Sequence, residues 1–210
     1  GAAVWGRDEA GCFYGAMTLG QMARPAPGGG VAFPRSHVRD WPAFPQRIIQ
    51  YDVARGQTID VGYVKRMIRE LARCKVNGLL FYMEDDFQFR AYPFLGRPGT
   101  FTHAKARELT EFARRYGVQL IPQFEALGHA GAVLRHEELA ALREAGDAWV
   151  FCTSEPQTWS FLDAVFGELV EAFPDAAYIH VGGDAFEPGF GKCERCKATA
   201  ARRGIGALYA

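Results

Sequence analysis

Neither sign of charge is in excess in this sequence: Lys plus Arg and Asp plus Glu stand at 24 each. Without a basic surplus there is nothing to draw nucleic acid or an anionic membrane, and without an acidic run there is no polyanionic tail. Long hydrophobic runs are missing too. No apolar stretch approaches the ~20 residues needed to span a bilayer, and the opening residues, GAAVWGRDEAGCFYG, have no charged segment leading into an apolar one as a leader peptide does. Cysteine is scarce and irregular. Cys12, Cys74, Cys152, Cys193 and Cys196 are an odd number without framework spacing, which argues against a disulfide scaffold and favours a reducing, cytoplasmic compartment. The stretch KCERC is a single C-x-x-C with no second pair and no nearby His, so its thiols read as structural or incidental, and neither a metal nor a cofactor is expected.

What is present is enough apolar material for one sizeable core, 49% of 210 residues, organised in one rhythm. Residues 25–45 hold five prolines and three consecutive glycines, which marks a linker or irregular loop between an opening segment, 1–24, and the main body, 46–210. In that body RIIQYDVA, GLLFYME, VQLIPQFEA and AAYIHVGG are short apolar runs rich in Ile, Val, Tyr and Phe, separated by helical spacing. The first helix is expected to start at Asp60 as N-cap, bury Val64, Met67, Ile68 and Leu71, and stop at Asn77-Gly78. The second buries Leu109, Phe112, Ala113 and Tyr116 and stops at Gly117. The third is announced by SEPQ, with Ser154 as cap, Gln157 reaching back, and Phe161, Leu162, Val165, Phe166, Leu169 and Val170 on one face up to Pro174. Strand and helix in alternation predict an α/β fold on a parallel sheet.

The polar residues gather where these strands end. Asp52 and Arg55 close the first; Glu84, Asp85 and Asp86 the second; Glu125, with His129 in its loop, the third; His180 and Asp184 the fourth. Each has an ordinary structural explanation taken alone, such as a capped turn or a satisfied histidine. Together they point to chemistry, because side chains at the carboxyl ends of parallel strands converge on one face, as in a (β/α)₈ barrel. Such a barrel needs eight strands in ~250 residues, so four strands imply part of one. His136 reads as a solvated helix residue.

In order and spacing, these stretches resemble glycoside hydrolase family 20, the β-N-acetylhexosaminidases. GCFYGAMTLGQM is similar to the end of the small α/β domain before the family's barrel, RIIQYDVARG to its first strand, YMEDDFQFR to the acidic stretch after the second, IPQFEALGH to the third, and IHVGGD to the strand carrying the catalytic Asp-Glu pair. FYMEDDF, GHAGAVLRHEELAALRE and the Gly-Lys-Cys tail look closest to the divergent branch that includes hexosaminidase D. The resemblance implies the first half of a partial TIM barrel after a remnant of the small domain. It implies removal of terminal β-linked GlcNAc or GalNAc from a small carbohydrate or glycoconjugate, with no nucleic-acid or membrane partner. The mechanism it implies is retaining without an enzyme nucleophile: the substrate's 2-acetamido oxygen attacks the anomeric carbon. Asp184 would orient the acetamido group, Arg55 would grip sugar hydroxyls, and Asp85, Glu125, His129 and His180 would contribute to substrate binding. Glu125 stands where the main branch has Asp.

The family's Asp-Glu pair reads Asp184-Ala185 here. Either Ala185 replaces the acid, or one residue has been lost and Glu187 is the family's second, non-catalytic acidic residue. Glu187 as a surrogate acid is a further possibility, and it is carried with Asp184 as a catalytic candidate. The rival readings are a carbohydrate-binding pseudoenzyme that keeps Arg55 and Asp184 for recognition, and a metal-dependent barrel built on Asp85, Asp86 and Asp184.

Overall fold

The computed structural model describes residues 1–187 and 189–209. Helix α1 (Glu9–Met22), capped by the Asp8 carboxylate on the Gly11 N–H, leads into a two-residue hairpin of β1 (Arg24–Pro25) and β2 (Val31–Ala32) within the glycine- and proline-rich segment. None of the α1 side chains is fully buried. The helix rests on the body through Phe13, the Tyr14 ring under Arg47, and a Gln21 side-chain bond to the Arg73 carbonyl.

The body is built on a parallel sheet of β3 (Ile48–Asp52), β4 (Gly78–Tyr82) and β5 (Gln119–Gln123), in sequence order. The central strand is GLLFY, buried on both faces, which explains its uninterrupted apolar reading. Its first residue must be glycine: a Cβ on Gly78 would lie 2.7 Å from Ile48 Cγ1. Asp52, Tyr82, Gln123 and His180 stand level across the sheet.

The fourth expected strand is present in reduced form. Its pairing is a single bridge at His180, whose N–H donates to the Pro122 carbonyl and whose carbonyl accepts from Phe124 N–H. Pro122 is the physical reason, since it has no N–H to donate toward the residues preceding His180. Tyr178 and Val181 are left exposed on this edge.

Helix α2 (Val61–Arg73) is capped by Asp60 as expected and buries Val64, Ile68 and Ala72, four residues apart on one face. It ends earlier than the Asn77-Gly78 signal suggests, because Lys75 turns left-handed at φ 61°. Asn77 is occupied elsewhere, its Oδ1 accepting from Arg47 N–H and its Nδ2 donating to the Pro45 carbonyl. Helix α3 (His103–Arg114) starts from a Thr102 cap and stops before Gly117, which takes φ 62°. Helix α5 (Pro156–Ala172) is capped by Glu155, not Ser154: Pro156 at the first helical position sets the cap one residue later, and the Ser154 hydroxyl accepts from the Cys196 thiol.

Between β5 and α5 lies structure the sequence pattern does not signal: a short helix α4 (Gly131–Leu134), a 3₁₀ turn over Glu137–Leu142, and an antiparallel hairpin of β6 (Arg143–Glu144) and β7 (Asp147–Phe151). His136 is at the junction of α4 and the 3₁₀ turn, its ring 5.3 Å from that of Phe94 and its Nε2 buried, so it is not a solvated helix residue. Helix α6 (Glu194–Arg203) and a 3₁₀ turn over Ile205–Leu208 follow.

The core is aromatic. Phe81 on β4 meets Phe101 edge-on at 4.9 Å and Phe173 at 6.4 Å, and Phe87 and Phe89 continue the cluster. Glu168 of α5 ties the segment after β4 down, accepting from the N–H groups of Arg90 (2.9 Å) and Ala91 (2.8 Å) and lying 2.9 Å from His103 Nε2. Phe81→Ala should cost about 3–5 kcal/mol through lost burial and the cavity left behind, read as a lowered denaturation midpoint of the full-length protein. A loss below 1 kcal/mol would mean that the aromatic cluster repacks around the gap.

Candidate active site

Four of the expected residues meet in one cleft at the carboxyl ends of the strands. It encloses ≈ 410 Å³, and Arg55, Tyr82, Gln123, His129, His180 and Asp184 line it. Arg55 follows β3, its guanidinium paired with Asp52, 3.8 Å from Glu84 and stacked 4.9 Å from the Tyr82 ring centre. Tyr82 donates its hydroxyl to Glu84 at 2.7 Å. Burial, then this hydrogen bond, push its phenol up, so it stays a neutral donor. One flank of the cleft is thus a fixed cation held over an aromatic face, a geometry suited to hydroxyl-rich ligands.

Glu125 lies beneath the cleft floor, 2% exposed. The Gln123 amide donates to it at 2.7 Å, Gln50 donates to Gln123 at 3.0 Å, and the Gly183 N–H reaches its other oxygen at 3.3 Å. Burial raises the Glu125 carboxyl above the ordinary glutamate range; the Gln123 amide pulls against this, and the charge of Asp184 adds to the rise. Gly182, at φ 66°, passes so close that a Cβ there would be 1.9 Å from Glu125 Oε2.

Asp184 projects into the cleft with its side chain 67% exposed, and its Oδ2 is 3.2 Å from His129 Nδ1. His129 is itself left-handed at φ 52°, and its ring packs at 4.8 Å, tilted by 58°, against that of Trp149, a β7 residue. Trp149 in turn donates its indole N–H to the Ala185 carbonyl at 2.6 Å. Gly128 closes the packing, since a Cβ on it would be 2.2 Å from the Asp184 carbonyl. His180 accepts the Gly182 N–H on Nδ1, which leaves Nε2 as the protonated nitrogen of the neutral ring.

The remaining candidates lie apart. Asp85 is 3% exposed and its carboxylate is held by Arg135 at 2.7 Å, away from the cleft. Asp86 is fully buried against Arg97 at 3.1 Å. Asp85, Asp86 and Asp184 therefore do not converge on a metal. Glu187 is exposed, adds to the rise that burial imposes on the Tyr209 phenol, and is not among the residues lining the cleft; Pro188 beside it lies outside the described residues. Sequence reasoning missed Trp149, Tyr82 and Gln123. The hairpin that presents Trp149 turns through Ala145 at φ 52° and Gly146 at φ 82°, two positive-φ residues as a type I′ turn requires. Alanine at the first of these positions hides the turn. The fold also brings Glu144, Cys152, Cys193 and Cys196 into one cluster, which the isolated C-x-x-C did not suggest.

A parallel β/α sheet with its polar groups and cleft at the strands' carboxyl ends defines a (β/α)-barrel type of site. Residues 44–209 match the description "Glycosyl hydrolase family 20, catalytic domain", and the chain belongs to that family, carrying part of its barrel. It is 32% identical over 166 residues to β-hexosaminidase subunit A1 of Dictyostelium discoideum, which covers 72% of this chain and 31% of that protein. Among solved structures it is similar to the chitobiase of Flavobacterium johnsoniae, with TM-score 0.78 and 25% identity over 90% of this chain and 31% of that one. It is likewise similar to a mutant Streptomyces plicatus β-hexosaminidase in complex with product GlcNAc, with TM-score 0.75 and 25% identity over 96% and 46%. The chain spans 27% to 47% of the length of the leading curated relatives it matches.

The raised Glu125 carboxyl sets a pH dependence. A carboxyl whose value is higher folded than unfolded stabilises the fold while protonated, and that contribution is lost as pH rises from the ordinary glutamate range through the raised value. Glu125→Gln should remove this loss and flatten the decline in stability across that window, measured as denaturation midpoint against pH for both proteins. Parallel curves would mean that Glu125 titrates normally.

Proposed function

We propose that this chain carries the recognition half of a β-N-acetylhexosaminidase site, acting on terminal β-linked GlcNAc or GalNAc by substrate-assisted chemistry. The observation that carries the reading is Asp184: exposed in the cleft, steadied by His129 and facing the Arg55 flank. An aspartate so held can accept the N–H of a 2-acetamido group and turn its carbonyl oxygen toward the anomeric carbon. That oxygen forms the new bond to the anomeric carbon as the glycosidic bond breaks, and Asp184 stabilises the positive charge of the oxazolinium ion. Water then opens the ring with retention. Arg55 is suited to the sugar hydroxyls, and Glu125 and His180 shape the floor and edge. The likeness to a chitobiase and to a β-hexosaminidase holding GlcNAc supports the substrate class. On the same basis, residues 1–24 are the end of a small preceding domain, 25–45 a linker, and 46–210 the first half of the barrel.

The departing oxygen needs a proton. Ala185 follows Asp184 and has no acid to give, and the exposed Glu187 is poorly suited because proton transfer needs roughly 2.6–3.2 Å contact. This favours a second reading alongside the first, a site that binds hexosamine but has lost most of its turnover. General acid catalysis typically contributes ~10²–10⁴-fold. The full-length protein carrying this sequence should therefore cleave activated aryl N-acetylglucosaminides slowly and chitobiose almost not at all. Ala185→Glu, or a Glu inserted after Asp184, should recover natural-substrate cleavage by a large part of that factor. Ordinary chitobiose turnover that disappears in Glu187→Gln would instead identify Glu187 as the acid.

Recognition is tested separately. Asp184→Asn should weaken binding of a thiazoline mimic of the oxazolinium ion by at least tenfold, since a cation loses its counter-charge, and calorimetry reads this without turnover. Unchanged affinity would remove Asp184 from the proposed role.

A further inference from the structure

The cluster of Cys152, Cys193, Cys196 and Glu144 is far from any role in the cleft chemistry, and it is built from three separate parts of the chain. Glu144 comes from β6, Cys152 follows β7, and the C-x-x-C pair opens α6. Glu144, Cys152 and Cys196 are at most 1% exposed. Nothing in an ordinary apolar core calls for a glutamate at that depth beside three thiols; a carboxylate buried without a cation is costly even when hydrogen bonds satisfy its oxygens.

The spacing is that of a coordination sphere. Cys152 Sγ is 3.6 Å from Cys193 Sγ and 3.9 Å from Cys196 Sγ, and Cys196 Sγ is 3.3 Å from Glu144 Oε2. All four ligand atoms lie within 4.8 Å of one another. A tetrahedral zinc with bonds of about 2.3 Å to sulfur and about 2.0–2.2 Å to oxygen sets S···S near ~3.8 Å and S···O near ~3.5 Å. These distances are close to that geometry on every edge measured. A disulfide is a poorer account, because its sulfurs lie about 2.05 Å apart and it would use two of the three thiols and strand the carboxylate.

The surroundings are also those of a ligand set. Cys193 is the N-cap of α6, and its sulfur accepts the Cys196 N–H at 3.3 Å, the N–H···S bond that steadies a thiolate, at the helix end that favours negative charge. Glu144 Oε1 accepts the Cys193 N–H at 2.6 Å, which leaves Oε2 facing the sulfurs. We propose that Glu144, Cys152, Cys193 and Cys196 bind one structural zinc ion. With four protein ligands the site is closed, and no water position is left for catalysis. On binding, zinc takes the three sulfurs as thiolates and the carboxylate as it stands, and three protons leave to solvent.

Such an ion joins the β6–β7 hairpin to the segment that leaves the cleft after Asp184. The hairpin carries Trp149, which packs against His129 and holds the Ala185 carbonyl, so the metal would stabilise the loop that presents Asp184 from behind. The inference stands on the four ligands alone and does not depend on the glycosidase reading.

The test uses the reduced full-length protein. Elemental analysis should find zinc, and its content per protein should fall by one equivalent in Cys193→Ser and in Cys196→Ser, while Cys12→Ser and Cys74→Ser, at exposed positions, leave it unchanged. Because a ligand variant can fail to fold, the unmodified protein is also stripped with a chelator and refilled with Co²⁺. A tetrahedral thiolate–cobalt absorption at one equivalent is expected, displaced by Zn²⁺. Peptide mapping after alkylation should label Cys12 and Cys74 from the start, and the three cluster thiols only once chelator is present. A protein that takes up no cobalt after stripping and shows no metal equivalent lost in the variants, or one in which two of the three sulfurs are found as a disulfide, overturns the proposal.

Discussion

One row of residues fixes the rest of this molecule. Asp52, Tyr82, Gln123 and His180 stand level across the parallel strands, and Arg55, His129 and Asp184 enter the cleft from the loops that directly follow that row. Because side chains alternate between faces along a strand, a slip of one residue in any strand would turn its polar end away from the others. The register keeps the Arg55 guanidinium near Glu84 and Tyr82, and it brings the Gly183 N–H to Glu125. The register is itself enforced by packing: Gly78 has room for no Cβ beside Ile48, and the aromatic cluster around Phe81 locks β4 against Phe101 and Phe173.

What could be read in the sequence follows from how local each signal is. The Asp60 cap, the apolar central strand GLLFY and the polar strand ends all announce themselves within a few residues, and they carry the fold class. The third helix start was displaced by one position because Pro156 outranks the Ser154 hydroxyl, which is used instead by a thiol 42 residues further on. The shortened fourth strand follows from Pro122, whose effect is felt on its neighbour and not on its own strand. The β6–β7 hairpin was hidden by an alanine in a position where glycine or asparagine would have marked the turn. With it were hidden Trp149 and the company that Glu144 and Cys152 keep with the C-x-x-C pair.

The cleft separates two tasks that are usually discussed together. Holding a charged group in place is done here by many weak contacts on the backbone: the indole on the Ala185 carbonyl, Gly128 against the Asp184 carbonyl, the Gly183 N–H on Glu125. On the proposed reading, delivering a proton requires one particular side chain at one particular position, and Ala185 beside Asp184 has no proton to give. The first task tolerates substitution because its load is distributed, whereas the second does not.

Gly182 and Glu125 occupy one volume between them. The glycine is bare on the side where the carboxylate lies, and the carboxylate is as long as the space allows. Shortening the acid at 125 would not make room for a methyl group at 182, because the new Cβ would still lie 2.9 Å from the Glu125 Cα and the backbone there is left-handed at φ 66°. Position 182 is therefore closed to any side chain, and the floor of the site rests on a glycine whatever acid stands at 125.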